Sequence, residues 1–141
     1  MSAAAKTGLS VVAAVLVLAG GIFHYQIWDS DYRSIPDGSV PGLDVVKIGF
    51  PVNAALSVLL AILLVVFARR PIVWLAGLVF ELACIVTLVL SRQASVFGWK
   101  EEGWSDDAKK VLLVEVLSAA ILALLLAVDF ARSSSTRDAR A

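Results

Sequence analysis

The chain has 141 residues, 60 % of them hydrophobic, a mean hydropathy of +0.88, and 12 basic against 12 acidic residues for a net charge of zero. So apolar a composition, against roughly half in a soluble domain, places the chain among membrane proteins. Balanced charge excludes a basic nucleic-acid-binding surface, and a single cysteine, Cys84, excludes an intramolecular disulfide and CxxC redox chemistry.

Long apolar runs separated by short polar segments predict helices over about 8–28, 49–68, 72–92 and 106–131. Each has the length, roughly 20 residues, that an α-helix needs to cross a hydrocarbon core of about 30 Å. Backbone groups in lipid must be satisfied within their own segment, so the runs are helices rather than strands. The expected fold is all-α, a single integral membrane domain over 1–141 built as a four-transmembrane-helix bundle. Outer loops are expected at 29–48 and 93–105, with a disordered tail at 133–141.

In the first run, Lys6 before an apolar stretch and the small residues near Ala19-Gly20 resemble a signal peptide. The stretch continues through Ile22 and Phe23, longer than such a segment, and is read as a retained helix. Pro51 sits near the expected start of the second helix, where its missing N–H costs nothing, and Pro71 stands likewise at the third. Ser105 before Asp106 and Asp107 suits an N-cap with acids in the first turn.

Basic residues divide evenly between the two sides. Lys6, Arg69, Arg70, Arg132, Arg137 and Arg140 fall on one; Arg33, Lys47, Arg92, Lys100, Lys109 and Lys110 fall on the other. Arg69 and Arg70 crowd a very short turn, which points to cytoplasmic N- and C-termini. The first outer loop holds Pro36-Asp37-Gly38, a turn sequence, and Pro41-Gly42. The second carries Phe97, Trp99 and Trp104. With Trp28 these form an outer aromatic group, and Trp74 marks the cytoplasmic side; all the tryptophans are expected in the interfacial belt.

Ionisable side chains inside lipid are costly and face a bundle interior. Helical spacing puts Glu81, Cys84, Leu88 and Ser91/Arg92 on one stripe of the third helix, and Glu115, Ser118, Leu122 and Asp129 on one stripe of the fourth. Asn53, Ser57 and Ala61 recur on the second helix, and Gly20/Gly21, His24 and Trp28 on the first. The Gly20-Gly21 pair suits a close helix contact or a slight bend. His24, Tyr25, Asn53, Arg92 and Glu115 should lie in the outer third and Glu81 deeper. Glu115 is expected to pair with Arg92 or His24, and Asn53 to bond across helices. These six are the candidate binding residues. They either lock the packing or line a pocket that opens outward.

A b-type haem needs two axial side chains, and His24 has no second histidine. A zinc site needs more His and Cys than one of each, and no strand carries a phosphate loop. No cofactor or metal is expected. The stretches His24–Trp28, Tyr32–Pro36, Asn53, Leu90–Arg92 and Phe97–Trp104 resemble small four-helix membrane proteins of high-GC actinobacteria. That resemblance implies this architecture and a bacterial cytoplasmic (inner) membrane, and it implies no reaction. The leading expectation is a non-enzymatic accessory or scaffold subunit, with membrane lipids and other membrane-protein subunits as partners. A binding or transport protein with an outward pocket for a lipid headgroup, quinone or proton comes second, and a lipid- or quinone-acting enzyme last.

Overall fold

The computed structural model describes residues 1–96 and 98–138. Helix α1 spans Ala3–Ile27 and runs into a single π-helical turn, Trp28–Tyr32; α2 spans Leu43–Val66, α3 Pro71–Gln93 and α4 Asp106–Asp138. All four helices are long and apolar enough to cross a membrane. The chain is thus an all-α multi-pass membrane protein, and among the described residues it has no strand, only a lone bridge between Val96 and Trp99.

Local chemistry sets the ends. Ser2 caps α1 by accepting a bond from the Ala5 N–H at 3.2 Å, and the helix starts at Ala3, ahead of the expected residue 8, because alanines propagate it. Arg70 is extended before Pro71, which takes the first position of α3 as expected. Ser105 Oγ accepts from the Ala108 N–H at 3.1 Å, so α4 begins at Asp106 as its cap predicts.

Two further boundaries correct the sequence reading. Helix α2 begins at Leu43, not near 49: the turn chemistry ends at Gly42, whose φ of 78° only glycine adopts readily, and Leu43 is buried. Pro51 therefore lies inside α2, where its missing N–H leaves the Lys47 carbonyl without its helical donor. Helix α4 continues to Asp138, so the tail expected to be disordered from 133 is helical that far; residues 139–141 lie outside the described ones. Each added residue contributes a hydrogen bond once a helix exists, and serines cost it little.

Helix α1 packs along α2 and α4, and α4 along α3, whereas α2 and α3 touch only lightly. The bundle is thus a ring in the order α2–α1–α4–α3 with one weak seam. Small residues set the tight contacts. A Cβ on Gly21 would stand 2.5 Å from Ser57 Cβ of α2, and one on Gly20 3.7 Å from Val114 of α4. The close contact expected of this pair is present, one glycine for each neighbour.

The apolar core fills the half of the bundle that carries the termini. It joins Ala13, Ala14 and Val17 to Leu60, Ala61, Leu64, Trp74, Leu122 and Leu125. Trp74 is a correction: it is fully buried, not in an interfacial belt. Its indole N–H lies 3.3 Å from Ser10 Oγ and 3.2 Å from the Ala68 carbonyl, and Ser10 Oγ donates to the Leu64 carbonyl at 2.8 Å. These interior partners satisfy the indole, so it needs no water. Lys6 pairs with Asp129 beside it, tying the start of α1 to α4.

At the opposite end the loops fold down onto the helices. Lys47, nine-tenths buried, donates to the Ile35 carbonyl at 2.6 Å and to Asp37 at 2.5 Å. The Gly38 N–H donates to Asp44, and Ser39 N–H to the Pro36 carbonyl at 3.3 Å, closing the expected Pro36-Asp37-Gly38 turn. The second loop is drawn onto α3 by the Glu101 N–H, 2.8 Å from the Ser91 carbonyl. Phe97 lies outside the described residues.

Candidate functional site

Between the loop-end halves of α2 and α3 lies a cavity of about 280 Å³. Its deep end is formed by His24, Asn53, Phe80 and Cys84, its walls by Val46, Gly49, Phe50, Ala83, Thr87 and Leu88, and its rim by Asp31, Ser91, Arg92, Glu101 and Ser105. The walls thus grade from apolar flanks to a polar, charged rim.

Helical periodicity brings the deep groups together. His24 Nδ1 lies 2.9 Å from the Gly20 carbonyl one turn back, which leaves Nε2 facing α4, 3.7 Å from Glu115 Oε1. Of the two expected partners of Glu115, then, the structure selects His24. Glu115 is 3 % exposed and its Oε2 has no partner among the described residues. Glu81, 2 % exposed, faces Ser118 from α3. Asn53 Nδ2 donates to Cys84 Sγ at 3.0 Å, the expected bond across helices, and Ser57 Oγ donates to Asn53 Oδ1 at 3.3 Å.

Arg92 does not meet Glu115. Its Nη1 donates to the Leu88 carbonyl at 2.9 Å and to Ser91 Oγ at 3.0 Å, and its guanidinium lies 5.0 Å from the Trp104 ring. Its Nε is buried without a hydrogen-bond partner among the described residues. Across the rim, Trp99 Nε1 donates to Glu101 Oε1 at 3.3 Å. Burial first, and then the nearby charge of Asp31, push the Glu101 carboxyl above the usual carboxylate range.

No protein-family model, curated protein or solved structure matches this chain. Of the six candidates, His24, Asn53 and Arg92 line the cavity; Glu81 and Glu115 form a buried layer beside its deep end. Tyr25 lies outside. It is one residue round the helix from His24, half exposed, with its ring 5.6 Å from that of Trp28. Sequence reasoning missed Cys84 as a lining residue although it sits one turn from Glu81, and missed Phe50 because an aromatic on an apolar run carries no polar mark. Asp31 and Glu101 belong to a π-turn and a loop, where no periodicity assigns a face.

The arrangement suits binding by shape and charge. The cavity is at the lower end of the roughly 300–1,000 Å³ of ligand pockets, room for a headgroup or a ring rather than a whole lipid. No group of three or more His, Cys, Asp and Glu among the described residues is placed to hold a metal ion.

Proposed function

We propose that the protein is a small membrane binding or transport protein that takes the polar end of a membrane amphiphile into this cavity, on the outer side of a bacterial cytoplasmic membrane. The observation that carries the reading is the buried Arg92 Nε, without a partner among the described residues, on the rim of a hollow with apolar flanks. An unpaired buried donor of a charged group is costly, and a ligand oxygen relieves that cost. His24 and Asn53 give the cavity a polar deep end, and the buried Glu115 and Glu81 lie in the layer beside it.

An accessory-subunit role is the second reading. It is favoured by the apolar stripe of Ile72, Leu75, Val79, Leu82, Val86 and Leu90 exposed along α3, although lipid covers such a stripe equally well. Extraction of the full chain in mild detergent, with mass spectrometry of retained lipids and quinones, tests the ranking. The wild type is expected to retain about one amphiphile per chain and Arg92→Ala to lose most of it while keeping the helical content of the wild type, its melting temperature falling as the ligand's contribution is lost. A chain that retains no amphiphile but co-purifies with other subunits in fixed ratio overturns the binding reading in favour of the second.

A further inference from the structure

We infer that the cavity holds the headgroup of a zwitterionic aminophospholipid, which reaches it sideways from the bilayer through the seam between α2 and α3. The inference rests on the cavity being a ligand site and adds the ligand's class and its route.

The route follows from packing. Every neighbouring pair in the ring is closely packed except α2 and α3. On the terminal side this seam is narrow, since a Cβ on Gly77 of α3 would lie 3.9 Å from Leu64 Cδ1 of α2. It is bridged again by the Asn53–Cys84 bond. Beyond that bridge the facing sides of the two helices, Gly49 and Phe50 opposite Thr87 and Leu88, are cavity walls instead of contacts. Gly49 marks the gap directly: a Cβ there would meet nothing within 4 Å. The seam lies on the perimeter of the ring, so this gap faces the hydrocarbon, and its walls are apolar enough for an acyl chain to lie in it.

The class follows from charge. One rim carries Arg92, whose buried Nε has no partner, and two carboxylates, Asp31 and Glu101, neither of them in an ion pair among the described residues. A neutral quinone ring answers neither charge. An anionic headgroup answers Arg92 and adds a third negative charge beside the carboxylates. A phosphate bearing an ammonium group answers both: phosphate oxygens accept from the guanidinium, and the ammonium lies between Asp31 and Glu101. Burial first, and then the neighbouring charge of Asp31, raise the Glu101 carboxyl, and an ammonium between the two carboxylates offsets the second of these.

Native mass spectrometry of the full chain in mild detergent tests this, by titration with phosphatidylethanolamine, phosphatidylglycerol, a prenylated naphthoquinone and water-soluble glycerophosphoethanolamine. Phosphatidylethanolamine is expected to bind about tenfold more tightly than each of the others. Arg92→Gln should weaken it about tenfold, and Asp31→Asn with Glu101→Gln should erase its preference over phosphatidylglycerol. Gly49→Leu fills open space on a helix, so it should melt no lower than the lipid-free wild type and lose the lipid. Tighter binding of phosphatidylglycerol or the quinone overturns the ligand class while leaving the cavity a binding site. Equal binding of the soluble headgroup, or full binding by Gly49→Leu, overturns the lateral route. Failure of all four probes to bind brings down the binding reading itself.

Discussion

Glu101 is held at a water-facing rim by an indole N–H, yet it is half-buried and sits near a second carboxylate, Asp31. Burial and that charge raise its folded-state pKa above the unfolded value of about 4.3. The sign follows from proton linkage. The folded protein binds this proton more tightly than the unfolded chain, so the contribution is fully present below the unfolded pKa and is lost as pH rises through the folded one. Glu101→Gln, which mimics the protonated group and keeps an oxygen for Trp99, should therefore melt higher than the wild type near pH 7 when no ligand is bound. The two should melt together below about pH 4. Thermal unfolding in detergent at both pH values measures it; a variant less stable at neutral pH shows that the charged carboxylate has a partner that stabilises it. This residue was not visible as a cavity-lining residue in the sequence, whereas His24 and Asn53 were. The difference is physical: a polar side chain on a regular apolar helix must turn inward, and its face follows from residue spacing. A loop residue obeys no such rule.

Helix contacts in lipid depend on close approach rather than on hydrophobic burial, so glycines carry the packing of α1. Gly21 meets α2 with no room for a methyl group, its virtual Cβ lying 2.5 Å from Ser57 Cβ and 3.4 Å from Ala54 Cα. Gly21→Ala should gain about 1 kcal/mol of helix propensity and lose more than that to overpacking, which costs roughly 1–3 kcal/mol. A lower melting temperature in detergent is expected, and Ser57→Gly in the same chain should restore part of the loss. Strictly additive effects of the two changes would place the strain elsewhere. The existence, number and order of the helices were legible because lipid demands long apolar runs. Their ends were less so. α2 starts earlier than its apolar run because Asp44 and Lys47 are spent on binding the preceding loop, a tertiary role that composition alone scores as loop. Trp74 likewise found partners in Ser10 and Ala68, which no belt argument anticipates.

At the scale of the whole molecule, the inner and outer ends are decided by cations. The twelve basic residues split evenly, so a simple count gives no orientation. Position breaks the tie. At the loop end Lys47 is nine-tenths buried and bonded to Asp37, while Arg33, Lys109 and Lys110 are each paired with an acid on their own helix or turn. Arg69 and Arg70, by contrast, are exposed on the short turn between α2 and α3. Cations on a very short turn, close to the ends of two spans, are those that most resist translocation, so the end with the termini should face the cytoplasm. Single cysteines at Lys100 and Arg69, in a chain with Cys84→Ala, test this with a membrane-impermeant thiol reagent on intact cells. Lys100→Cys should react at once and Arg69→Cys only after the membrane is permeabilised. Reaction of Arg69→Cys alone inverts the molecule, and with it the leaflet from which a lipid could enter the seam. Reaction of both from the same side is incompatible with helices that each cross the bilayer, since a single span, α3, separates the two positions.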